Sequence, residues 1–464
     1  MQEILFHYQK MHPMNWVYLS SILMIGLYFK FSRFWSVRNA DLLGLALLSP
    51  GLILVEYGRN PPPPAAALPD IELAGFIWLF VVGGIFLVRA LMDSMMVRRP
   101  LLEPNLSVGG MLWVGICLSI FLLANVANSK PVFTPDITSA ADHQSEDSPG
   151  DITAGEDRAE KTGLQKYGPR FAMLSRLPRI ETQIFFGTEA SPQRQPLSDT
   201  EQLLVSVTKT LAIICHLAVV IGLIVVGYLH FDNIRTGVAA TVLYLMLPYT
   251  AEMTGDITHC LPAALLVWAI ALYRRPLAAG LVFGLALAAI YFPLFLLPLW
   301  ISFYWQRGML RFCIGVAVAL AISVAALAFF SDGVDQFVLD LRQMLGLSMP
   351  RFENLNGIWK FIPPWFRLPI IATFVALGGS FALWPAQKNL GTLLSGTTAM
   401  MIGAQFWHGQ DGGLCMAWYL PPLLLTIFRP NLEDRVATTA VSVGWLSRRR
   451  GVETGGVETE GSAV

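Results

Sequence analysis

Carboxylates, histidines and cations gather in a few polar windows of this chain: KPVFTPD at 130–136, TGDITH at 254–259, RFENLNGIWKF at 351–361 and HGQDGG at 408–413. These windows supply Asp136, Asp256 and Asp411, His259 and His408, and Arg351 and Lys360; Asp142, Asp147, Asp151, Arg170, Glu252 and Arg367 occupy the same or adjoining segments. One reaction suits such a set. A carboxylate takes the proton of an acceptor hydroxyl while Arg or Lys stabilises a leaving phosphate, so that a sugar passes from a lipid phosphate to the hydroxyl. The signatures of soluble enzymes are missing: there is no Walker loop, G-x-G-x-x-G, H-E-x-x-H or G-x-S-x-G. The seven histidines are scattered, which argues against a preformed zinc site.

The elements that must position these residues follow from composition. Of 464 residues 54% are hydrophobic and 14% charged, with a mean hydropathy of +0.55. A soluble chain carries roughly 25% charged residues, so this one lacks the polar surface to cover itself with water. The expected fold is an all-α polytopic membrane protein. Apolar segments near 15–31, 40–57, 73–92, 108–126, 203–229, 237–253, 260–273, 277–290, 293–305, 312–330, 368–384, 390–407 and 414–428 predict about 13 transmembrane helices. The N-terminus has no basic region followed by a cleavage site, so the first segment is expected to be retained. The five cysteines lie in or beside apolar segments without a close pair and read as small core residues.

Charge gives the direction. Alternate short loops carry twelve cations, among them Lys30, Arg33, Arg38, Arg235 and Lys388, whereas the other short loops carry only Lys10 and Arg59. The positive-inside bias therefore places the N-terminus outside and the C-terminus in the cytoplasm of a cell with a plasma (inner) membrane. The same bias decides 277–305: two short helices rather than one long helix kinked at Pro293, because one helix would export the later basic loops. The outer side then holds two long loops. Residues 127–201 contain an acidic, Ser/Gly/Ala-rich run too polar to build a core. Residues 331–367 begin with Val334, Phe337, Val338, Leu341, Met344 and Leu345 at amphipathic spacing, as expected of a helix lying in the outer interface. The equal totals of 32 cations and 32 anions indicate no nucleic-acid partner; membrane lipids are the expected surroundings.

Residues 235–305, RTGVAATVLYLMLPYTAEMTGDITHC through to YFPLFLLPLW, carry a resemblance. The order of elements, a helix ending in Pro before an outer turn, an apolar helix, a basic turn, and a Gly-rich helix running into a Pro-Leu-rich one, resembles the membrane-embedded glycosyltransferases of the GT-C fold, particularly their polyprenyl-phosphate-mannose-dependent branch. KYGPRF at 166–171, RFENLNGIWKF and HGQDGGLCMAWYLPPLLL are similar to later elements of that family, so the resemblance covers roughly 108–428. It implies a GT-C-like helical bundle with a large outer loop, preceded by an added N-terminal segment of three helices at 1–107; the basic and then low-complexity residues 429–464 read as a disordered cytoplasmic tail.

The resemblance also implies a polyprenyl-phosphate sugar as donor, a lipid or glycan as acceptor, and a catalytic Asp soon after the first helix of the bundle. The closest match is Asp136, with Asp142 next. Arg351 and Lys360 are the candidates for the carrier phosphate, and Asp256, His259 and His408 for polar groups lining the pocket. A divalent cation is compatible with the reaction, but no residue set defines one. Two departures stand out: Ile290 and Tyr291 occupy the place where the family often has a Lys, and Asp136 has no acidic neighbour. A catalytically degenerate member is one alternative. Another is a transporter or flippase using Lys209 and His216, which lie seven residues apart on one helix face.

Overall fold

The computed structural model describes residues 13–61, 67–96, 103–128, 199–252, 255–331, 333–347 and 355–441. Helix is the only regular structure among them apart from an isolated bridge between Asn389 and Val436. In chain order the helices are α1 (Pro13–Tyr28), α2 (Val37–Arg59), α3 (Pro69–Leu91), α4 (Val108–Asn128), α5 (Asp199–Leu229), α6 (Ile234–Met246), α7 (Pro248–Glu252) and α8 (Ile257–Ala271). There follow α9 (Pro276–Ala289), α10 (Leu297–Tyr304), α11 (Met309–Phe330), α12 (Val334–Met344), α13 (Arg367–Leu383), α14 (Leu390–Trp407), α15 (Leu420–Phe428) and α16 (Ala437–Ala440).

Every apolar segment read from the sequence is helical, but the segments are of two kinds. Among the described residues six helical stretches are long and apolar enough to cross a membrane: Val37–Arg59, Pro69–Met95, Val108–Ala127, Val207–Leu229, Met309–Phe329 and Pro364–Leu383. Others are short and enclosed by protein. Within α6, every residue from Thr236 to Met246 is buried, as is all of α15. Hydropathy alone does not separate these inner helices from lipid-facing ones, because both are apolar.

Local chemistry sets the boundaries. Ser36, Asn233, Asp256 and Asn389 cap α2, α6, α8 and α14 by accepting from a backbone N–H one turn in, and Pro stands in the first turn of α3, α9, α10 and α15. Between α9 and α10 the chain reverses. Glycines fix this: a Cβ on Gly280 would sit 2.2 Å from the carbonyl oxygen of Phe312, and one on Gly315 would sit 2.3 Å from that of Leu277. Gly284 likewise meets Val316 and Ala319, so contacts advance in step and α9 runs parallel to α11. Two parallel helices joined through α10 require a return leg, and Tyr304 at its end donates to the carbonyl of Tyr273 beside the start of α9 (2.7 Å). The two short helices expected from charge are present.

The bundle thus has two ends. The basic end gathers the starts of α2, α4, α6, α9, α11 and α14; the far end gathers the 408–418 loop, the 355–366 segment and the start of α8. Residues 429–441, expected to belong to a disordered tail, instead fold onto the basic end: Leu432, Ala437 and Val441 are buried, Leu390 donates to the carbonyl of Arg435, and Arg307 to that of Thr438. The apolar residues in this stretch supply the physical reason. The rest of the tail, 442–464, lies outside the described residues.

Candidate functional site

The far end brings together three turns that are remote in sequence. Asp256 caps α8: its Oδ1 accepts from the Thr258 backbone N–H (2.8 Å) and hydroxyl (2.6 Å). That leaves Oδ2 facing Nε2 of His259, 3.6 Å away and three residues on along the helix face. The other ring nitrogen, Nδ1, is 2.5 Å from the buried Tyr249 hydroxyl, and the Cys415 thiol lies 3.9 Å from Nε2. Trp418 joins this group to the next. Its indole N–H donates to the Thr258 carbonyl (3.1 Å), and its ring lies 5.5 Å from that of His408, which meets Phe292 edge-on at 5.0 Å.

Further along the same loop, Asp411 adopts a left-handed backbone (φ 51°) with Gly357 packed against it. Gly357 is itself left-handed (φ 71°), and a Cβ there would lie 3.1 Å from the Asp411 Cα, so glycine suits both the conformation and the space. Asp411 accepts from Arg59 Nη2 (2.6 Å), whose Nε donates to Glu72 (2.7 Å). The second Glu72 oxygen is 3.4 Å from Lys360 Nζ, and the Arg59 guanidinium also lies over Phe76. The four charges cancel. Lys360, expected at a carrier phosphate, is thus paired with a carboxylate while its side chain stays 55% exposed. Arg367 is buried and donates twice to the Trp407 carbonyl (3.1 and 3.0 Å).

Of the residues singled out by sequence, Asp256, His259 and His408 meet through Trp418, and Lys360 is linked to the same loop through Glu72, Arg59 and Asp411. Asp136, Asp142 and Arg351 lie outside the described residues. Lys209 donates to the Ala127 carbonyl (2.8 Å), and His216 bonds Tyr244 (2.9 Å) and Cys260 (3.0 Å). Sequence reading missed Tyr249, Cys415 and Glu72. Glu72, in the first turn of α3, offered a signal, since a carboxylate buried there needs a cation.

Cys215, Cys260 and Cys415 are buried as expected, whereas Cys117 is exposed; none of the five is in a disulfide. Among the described residues no group of three or more His, Cys, Asp or Glu is placed to hold a metal ion. Comparison of the chain with models of known protein families, with curated proteins and with solved structures gives no match.

Proposed function

We propose that this chain is an integral membrane glycosyltransferase that moves a sugar from a polyprenyl-phosphate donor to a lipid or glycan acceptor at its far end. The supporting observation is the convergence of the 256–259, 357–367 and 408–418 turns, which gathers a carboxylate–histidine pair, a histidine held between aromatic rings and an exposed lysine at one end of the bundle. On this reading the chain crosses a plasma (inner) membrane thirteen times, the N-terminus is outside and the C-terminus cytoplasmic, and the far end faces outward. Asp136, or failing it Asp142, takes the acceptor proton. Asp256, His259 and His408 line the pocket.

Lys360 and Arg351 meet the donor phosphate. The phosphate then competes with Glu72 for Lys360, a weak pairing at 3.4 Å that an anion can replace. Purified protein in liposomes, given a polyprenyl-phosphate sugar and a mixture of lipid acceptors, should form glycosylated product. Asp136→Asn should lower kcat by about 10²–10⁴, the range for loss of a general base. Full activity in that variant would transfer the role to another carboxylate, and absence of transfer from every polyprenyl-phosphate sugar tried would remove the reading itself.

A further inference from the structure

At the basic end, the segment 103–107 straps the α1–α2 turn to the start of α4. Asn105 donates to the carbonyls of Gly26 and Phe29, and its amide oxygen accepts from Lys30 Nζ (2.6 Å). The turn itself is held from inside by Asn39, which has no exposed surface and whose amide donates to the carbonyls of Lys30, Arg33 and Phe34. Across the strap, Arg235 Nη2 donates to the Leu106 carbonyl (3.2 Å). This frame carries Lys30, Arg33, Arg38 and Arg235, and Glu103 and Arg33 are the charges that act on Arg38. The N-termini of α2, α4 and α6 open toward the same segment and add partial positive charge.

Positive-inside sorting accounts for cations at this end but not for their bonding. Nε and Nη2 of Arg38 and Nε of Arg235 are shut off from solvent and have no hydrogen-bond acceptor among the described residues. Buried guanidinium N–H groups without acceptors are costly, and a phosphate oxygen satisfies them in the fork geometry that Arg provides. Beside them the turn projects Phe31, Phe34 and Trp35, the last 96% exposed, as an aromatic edge of the kind that seats at a lipid headgroup boundary.

We infer that this basic turn is a binding site for the phosphate of an anionic phospholipid headgroup in the leaflet at the basic end. The half-buried Arg38 and Arg235 side chains turn outward to donate to the phosphate, Arg33 and Lys30 supply charge, and Trp35 beds among the upper acyl carbons. The site is separate from the far end and independent of the proposed transfer reaction.

Native mass spectrometry of the full-length protein in detergent, titrated with phosphatidylglycerol, phosphatidylcholine or inorganic phosphate, tests it. Phosphatidylglycerol should bind in preference to phosphatidylcholine, and Arg38→Gln and Arg33→Gln should each weaken it by about fivefold. Arg33 is exposed, so its variant reports on the site even where Arg38→Gln disturbs folding. Equal binding of the two lipids, or binding unchanged in Arg33→Gln and in a folded Arg38→Gln protein, would overturn the proposal. Saturation by inorganic phosphate that abolishes lipid binding without help from the acyl chains would assign the site to a free anion and overturn the lipid assignment.

Discussion

Two ionic quartets tie the α2–α3 hairpin to the C-terminal half of the bundle, one at each end, and they are built differently. At the basic end Arg89 grips Asp41 with two bonds (2.9 and 3.0 Å) and Asp93 with a third (2.8 Å), while Arg429 donates to the other Asp93 oxygen. Arg89, at 14%, is the most exposed of the four side chains, and Asp93 has no exposure at all. The far-end quartet of Arg59, Glu72, Asp411 and Lys360 has the same neutral total, yet it opens to solvent at Lys360 and contains one long contact. Equal charge arithmetic therefore gives a dry lock at one end and a wet, exchangeable clasp at the other. An exchangeable clasp beside Asp256 and His408 suits a site that must admit a charged ligand; a dry lock suits a hinge-free base.

The largest effect expected from this contrast is at Asp93. Asp93→Asn leaves Arg429 buried without its carboxylate and should destabilise the protein by about 3–5 kcal/mol in equilibrium unfolding in mixed micelles. A loss below about 1 kcal/mol would mean that water reaches the lock. Next comes His230, just past α5, whose Nε2 donates to the Ala271 carbonyl (2.7 Å) while Nδ1 is buried without a partner. Burial, aided by nearby Arg274 and Arg435, pushes its pKa down to about 4, against the Ala271 bond that opposes the shift. In the unfolded chain the imidazole takes up its proton near pH 6.5, whereas the folded protein resists until about pH 4. Stability present above pH 6.5 should thus fall as pH drops through that window, by about 3 kcal/mol in all, and His230→Gln should flatten that part of the profile.

The far end should respond less. Glu72→Gln keeps the Arg59–Asp411 pair and should cost about 1–2 kcal/mol, and Lys360→Ala, removing an exposed partner, less than about 1 kcal/mol. If Lys360→Ala destabilises as much as Asp93→Asn, the two quartets are alike and the contrast fails.

Helix positions were legible because apolar runs and caps are local properties, and the reversal between α9 and α10 was legible because charge bias constrains every later loop at once. The Asp256–His259 contact could be read from their spacing of three on one helix. The Glu72–Lys360 contact could not, since 288 residues separate the partners and only the packing of α3 against the 357–360 turn creates it. Nor could the enclosure of some helices by protein be read, because α6, α14 and α15 owe their burial to neighbours rather than to their own composition. The ordered 429–441 segment is a similar case: Arg429 reads as a tail cation until Asp93 and Gly391 are seen beside it.

The return leg between α9 and α11 constrains how the protein is made. Its 3₁₀ turn, Phe292–Leu296, spans roughly 10 Å, and α10 adds roughly 12 Å. Together they fall short of the roughly 30 Å of a bilayer core, so this leg cannot cross as an independent unit. Its backbone ends are shielded only once α11 and α13 have been synthesised and have packed beside it. A nascent chain halted at Trp305 should therefore remain with the insertion machinery, and one extended through α13 should leave it.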